Sequence, residues 1–300
     1  MSIGKLGVFY FIDSLSAPQA ADFARTVERL GYGALWYPEA VGRNSMVTAA
    51  WLLTQTRTLT VASGIANIFA RDAQAAAGGR HALNELSGGR FLMGLGVSHA
   101  PLVEDLRGHI FKNPLQRMRD YIEKMNGAVY QSPMPEQSGE LVLAALGPKM
   151  TALAGELSDG AYPYNVTPEH TARSRAILGP GKKLYVEQKV LLETDPAKAR
   201  AVARESLGFY LSMVNYQNTW ATLGFVPSDW EQASDKFLDA MVAWGDEEAI
   251  RKRIDEHLQA GADHVCIQPL GDPGKVLELL APGAGETESE DLLERGSIRR

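Results

Sequence analysis

The feature that most constrains this chain is a unit that recurs along it: a short apolar run, a loop, then a stretch with helical periodicity. Eight runs read as strands, at 5–12, 32–37, 58–65, 90–96, 141–146, 159–164, 183–193 and 263–269. Near-continuous apolar character over so few residues is expected of parallel strands, because helices cover both of their faces. The intervening stretches carry helix signals. Ala17-Pro18, Asn113-Pro114, Thr167-Pro168 and Asp195-Pro196 each put a proline in a first turn, where its missing N–H leaves no bond unmade. Phe23, Val27 and Leu30 share one face ahead of Gly31, and Leu115, Met118, Ile122, Met125 and Val129 form a second stripe. Asp246 is placed to cap 247–260, where Ile250, Ile254 and Leu258 line one side and Gly261 ends the helix. Eight such units predict an α/β chain folded as a (β/α)8 TIM barrel; an open doubly wound sheet is the alternative.

A chain of 300 residues suits one barrel domain, expected over 1–281, with residues 282–300 as a mobile polar tail. One unit is longer than the rest. Residues 209–244 hold eight of the 24 aromatic side chains, which predicts an insertion after the seventh strand. It reads as a satellite core, a cover over a pocket, or a subunit contact. The net charge of -6 argues against nucleic acid as a partner. No apolar run nears the ~20 residues of a membrane helix, and Asp13 ends the apolar start too soon for a signal peptide. Cys266 is the single cysteine, so neither an intrachain disulfide nor a multi-cysteine zinc site is expected, in keeping with a cytoplasmic protein.

Several motifs fail on inspection. Gly94-x-Gly96-x-x-His99 lacks the third glycine of a dinucleotide fingerprint, and Gly179 to Lys183 lacks the spacing and hydroxyl of a P-loop. Ala100 replaces the last glycine of a nucleophile elbow at Gly96 to Ala100, and the six histidines form no metal-ligand pair. A barrel supplies a positional rule instead, because chemistry collects where strands end. Those places hold Phe11 and Asp13; Pro38, Glu39 and Arg43; Gly64, Ile65, Asn67 and Arg71; Val97, Ser98 and His99; Gly147, Pro148, Lys149 and Met150; Tyr162 and Tyr164; Glu187 or Gln188; and Gln268. Gly147 to Met150 is either a plain turn or a phosphate seat made by free N–H groups beside Lys149. Glu39 and His99 sit at what read as neighbouring strand ends, where a carboxyl group and an imidazole could exchange protons with a substrate. The structural alternatives are an ion pair with Arg43 for Glu39 and a packed ring for His99.

At these residues the chain resembles the bacterial luciferase-like monooxygenase superfamily, and within it the coenzyme F420-dependent oxidoreductases. Three stretches carry the resemblance: Leu35 to Arg43, Gly89 to His99, and Ala145 to Met150 with Leu157 to Ala161. It implies a (β/α)8 barrel with an insertion after strand 7, usually a homodimer, with a flavin or deazaflavin in the barrel mouth. It implies a bulge after strand 3, at Ser63-Gly64-Ile65, that backs the cofactor ring, often through a non-prolyl cis peptide. By the same resemblance Gly64, Ile65, Asn67, Val97, Ser98, His99, Gly147, Pro148, Lys149 and Met150 are candidate cofactor contacts, and Glu39 and His99 candidate catalytic groups. The activity implied is hydride transfer between coenzyme F420 and a small-molecule substrate. The alternatives are an FMN-dependent monooxygenase with a separate reductase, and a non-catalytic flavin-binding barrel.

Overall fold

The protein is described by a computed structural model covering residues 3–283. The tail expected at 282–300 therefore lies almost wholly outside the described residues. Among the described residues ten strands occur: β1 (Leu6–Phe9), β2 (Ala34–Tyr37), β3 (Thr60–Ser63), β4 (Ala66–Asn67), β5 (Phe91–Gly96), β6 (Leu141–Leu143), β7 (Gly160–Ala161), β8 (Lys183–Leu192), β9 (Val242–Gly245) and β10 (His264–Pro269). All pairings are parallel, in the order β1, β2, β3, β5, β6, β7, β8, β10, and β10 pairs back onto β1. β4 continues the course of β3 by pairing with β5 beyond the break at Gly64 and Ile65. The result is a closed eight-stave barrel with helices outside.

The alternation of faces explains why the strands read as apolar throughout. Phe9, Trp36, Ala62, Leu92, Val142, Tyr162, Tyr185 and Cys266 meet inside the barrel, one from each stave. Trp36 stacks on Tyr162 with ring centroids 4.5 Å apart. Their chain neighbours Val8, Leu35, Val61, Phe91, Leu143, Ala161, Leu184 and Val265 face outward into the helix layer. Each side of a stave is dry, so no position along it is free to be polar without a partner.

The helix signals hold where their chemistry is complete. Ser16 and Gln19 close a reciprocal capping box on Ala17–Arg29, and Asp195 and Asp246 accept from the first amides of Pro196–Leu211 and Glu247–Gln259. Gly31 ends its helix at φ +82. Some strands are shorter than their apolar runs. The run 5–12 ends as a strand at Phe9, since Ile12–Ser14 turns into a 3-10 helix. The staves at 141 and 160 are only three and two residues long.

After β8 come four helices, Pro196–Leu211, Val214–Thr222, Pro227–Glu231 and Asp235–Met241, and then β9, which pairs with the far end of β8. These pack on a core of their own around Leu207, Tyr216, Trp220, Trp230 and Phe237. Its first members, Leu191 and Ala199, precede residue 209. No helix among the described residues is long and apolar enough to cross a membrane.

Candidate active site at the barrel mouth

The break between β3 and β4 shapes the mouth. The Gly64–Ile65 peptide is cis. Gly64 N–H donates to the Tyr37 carbonyl at 2.7 Å, and the Ile65 carbonyl accepts from Glu39 N–H at 3.2 Å. A Cβ on Gly64 would stand 3.3–3.4 Å from the rings of Tyr162 and Phe9, so this backbone lies directly against the barrel interior. On the next stave Gly96 leaves room for the Ile65 side chain; a Cβ there would come within 2.6 Å of it.

Glu39 is bound on both oxygens. Oε1 accepts from Ser45 N–H at 2.9 Å and from the Arg71 guanidinium, and Oε2 accepts from Asn67 N–H at 2.9 Å. One carboxylate thus joins the end of β2, the first turn of helix Ser45–Gln55 and β4. Its partner is Arg71, not the Arg43 suggested by proximity in sequence. Arg43 instead donates to the carbonyls of Ile12 and Leu15. Asn67 is buried, with its Oδ1 accepting from Phe69 N–H at 2.9 Å.

His99 follows β5, and the β3–β4 stave separates it from the end of β2. The two candidate proton carriers are therefore not at adjacent strand ends, as the linear reading supposed. His99 faces the insertion: its ring lies 5.7 Å from Tyr216 and 6.4 Å from Phe209. Burial pulls its pKa below the ordinary histidine value, against a smaller opposing pull from the Asn215 side chain. Ser98, just before it, holds a left-handed backbone at φ 60. Val97 and Ser98 are half-buried.

Gly147 caps helix Pro148–Leu157 with extended backbone, and open space surrounds the position of a Cβ there. Pro148 and Lys149 are exposed and Met150 half-buried. Lys149 makes no ion pair among the described residues. Pro148 has no N–H and the Met150 amide donates to the Gly147 carbonyl at 3.1 Å, so among the described residues the Lys149 amide is the open first-turn donor, and with its unpaired side chain it suits a phosphate-bearing group. No cluster of histidine, cysteine and carboxylate side chains among the described residues could hold a metal.

A second polar cluster closes the barrel core from above. Tyr185, Glu187 and Lys189 share the inward face of β8, while Gln188 faces outward to His257 at 2.9 Å. Of the two residues open for this strand, Glu187 is the interior one. Lys189 and Glu187 are each 1% exposed, with Nζ and Oε1 3.3 Å apart. Lys189 Nζ also donates to Asn165 Oδ1 and lies 4.0 Å from the ring centre of Tyr164 and 5.5 Å from that of Tyr210. Burial pushes the lysine pKa down and the glutamate pKa up, and the pair's mutual attraction opposes both. Above them the Tyr164 hydroxyl donates to Gln268 Oε1 at 2.8 Å and meets the Tyr210 hydroxyl at 3.2 Å. Lys189 and Asn165 went unmarked in the sequence. The signal was present as two opposite charges at i and i+2 inside an apolar strand, which places both in the core.

The model of the luciferase-like monooxygenase family matches residues 5–264. The chain belongs to that family. A Mycobacterium tuberculosis protein named for an inferred coenzyme F420-dependent oxidoreductase activity is 26% identical, over 72% of this chain and 74% of its own. The 5,10-methylenetetrahydromethanopterin reductase of Archaeoglobus fulgidus is 23% identical, over 92% and 97%. Among solved structures, a coenzyme F420-dependent secondary alcohol dehydrogenase bound to an F420-acetone adduct superposes with TM-score 0.77 at 15% identity, over 93% and 97%. That likeness concerns the luciferase-like barrel as a fold.

Proposed function

We propose that this luciferase-like enzyme transfers hydride between coenzyme F420 and a small organic substrate. The observation that carries the reading is the interrupted third stave: the Gly64–Ile65 backbone laid against Phe9 and Tyr162, in a mouth walled by aromatic rings. Such a surface suits a flat, largely apolar ring. Bound there, the deazaflavin would supply the hydride at C5. Gly64 and Ile65 would back the ring, Val97 and Ser98 would follow its edge, and Gly147, Pro148, Lys149 and Met150 would take its phosphate. The F420-related names among the relatives support this cofactor over FMN.

The chain's own residues would divide the remaining work. Burial lowers the His99 pKa, which favours the neutral ring, whose free nitrogen can accept a proton. Glu39 has no free oxygen for that task, and we assign it to holding Asn67 and the bulge in place. The aromatic insertion covers His99 and excludes water from the mouth. Exposed Val47 and Trp51, one turn apart on helix Ser45–Gln55, offer an apolar patch for a homodimer, which light scattering would register as a doubled mass.

Side-by-side fluorescence titrations with coenzyme F420 and FMN test the reading. Tight binding of the deazaflavin alone is expected. Preference for FMN, with oxygen uptake once it is reduced, would move the enzyme to monooxygenase chemistry. Binding without turnover of any substrate would make it a carrier.

A further inference from the structure

We propose that the Glu187–Lys189 pair sets which charge the mouth accepts, so that the site selects an uncharged carbonyl compound or its alcohol. This rests on the hydride-transfer reading for the reaction, but the selection itself is a property of the chain.

The groups above the pair are donors. Tyr164 gives its proton to Gln268 Oε1, and the Gln268 amide nitrogen beside it is a further donor. Tyr210 can turn its hydroxyl from Tyr164 toward a ligand. Asn165 Nδ2, beside Lys189, is buried with no acceptor among the described residues. A buried donor without a partner is unfavourable, and an incoming oxygen lone pair relieves it. The chemistry missing from this cluster is therefore an acceptor oxygen.

Charge then decides which oxygen. Lys189 is the cation nearest these donors, and Glu187 at 3.3 Å balances it within the same dry layer. A carboxylate or phosphate pressed against these donors would lose its hydration and meet no uncompensated positive charge there, since Lys149 stands apart at the start of helix Pro148–Leu157. A ketone, aldehyde or alcohol loses far less and still fills the acceptor role. A carbonyl held there would be placed to receive hydride on carbon from a bound reduced deazaflavin, which would be oxidised; the C=O π pair would take one proton, and the product would be the alcohol.

The test needs no cofactor, so it stands or falls apart from the F420 assignment. Protein carrying 13C-labelled tyrosine is titrated with two ring-matched probes, acetophenone and benzoylformate, and the Tyr164 and Tyr210 signals are assigned with Tyr164→Phe and Tyr210→Phe. In the native protein acetophenone should shift both signals and bind at least tenfold tighter than benzoylformate. Glu187→Gln keeps the hydrogen bond from Asn165 but frees the lysine charge, and should reverse the preference by tenfold or more. Should that variant fail to fold, Glu187→Gln with Lys189→Met removes both charges and should keep the neutral preference. Tighter binding of benzoylformate by the native protein or by the double variant overturns the proposal. So does an unchanged preference in Glu187→Gln, or the absence of any shift at either tyrosine.

Discussion

Two buried ion pairs sit in this barrel, and they are built differently. Glu39 and Arg71 join three segments through a carboxylate that also accepts two backbone amides. Glu187 and Lys189 lie two residues apart on one strand, share a single backbone amide and one asparagine, and carry aromatic rings above them. The first pair has its bonds saturated and fixes backbone. The second is looser, and an unsatisfied donor, Asn165 Nδ2, sits beside it. A saturated buried charge is a structural clamp, whereas an unsaturated one can respond to what binds beside it.

Acid should break the second region first and by the largest amount. His257 holds the outer side of β8 through Gln188 and through Thr171, and burial pulls its pKa down to about 3. Since the unfolded chain takes up that proton near pH 6.5, stability is full above about 6.5 and is lost as pH falls toward 3. The loss approaches roughly 4–5 kcal/mol. Urea denaturation across this range should show it, and His257→Gln should flatten the slope; a slope unchanged in that variant would remove His257 from the account.

Next in size are single breaks of either pair. Arg71→Met and Lys189→Met each strand a buried carboxylate and should cost about 3–5 kcal/mol. The difference lies in rescue. Adding Glu187→Gln to Lys189→Met should restore most of the loss, because only charge balance is at stake there. Adding Glu39→Gln to Arg71→Met should restore less, since the amide replaces one of two backbone acceptors with a donor. Equal rescue would mean that the two pairs do not differ in this way.

Turnover sharpens the same contrast. His99→Gln should lower kcat by ~10²–10⁴ with cofactor affinity nearly kept. Glu39→Gln should instead lose stability and cofactor affinity together. If Glu39→Gln stays stable, binds cofactor normally and loses turnover, Glu39 is the proton carrier after all. The smallest effect is expected at Lys149, where Lys149→Ala should weaken cofactor binding by roughly threefold to tenfold, and less so at high salt because the side chain is exposed.

Much of the barrel was legible in the sequence. Val61 and Ala62, or Leu92 and Met93, announce a strand because each faces a dry layer, and only a stave covered on both sides reads so. β9 was not legible: Trp244 read as the end of an aromatic insertion, and its strand character depends on pairing with β8. The positional rule for strand ends located Glu39, His99, Tyr164, Glu187 and Gln268. It could not say which of them meet. Glu39 finds Arg71, 32 residues away, rather than Arg43 four residues away, because the third stave brings Arg71 to the end of the second.

The sequence alone determined what is periodic or local in this protein: eight apolar staves, their capped helices, and the glycines that let a bulge and an open helix end form. These depend on burial of side chains at fixed spacing and on backbone freedom at single residues, which neighbours in the chain can specify. Tertiary structure alone decided partnership. Whether a carboxylate is clamped or responsive, whether a histidine faces a neighbour stave or an insertion, and whether a buried lysine is balanced depend on which distant groups the closed barrel sets within about 3 Å, where hydrogen bonds and desolvation act.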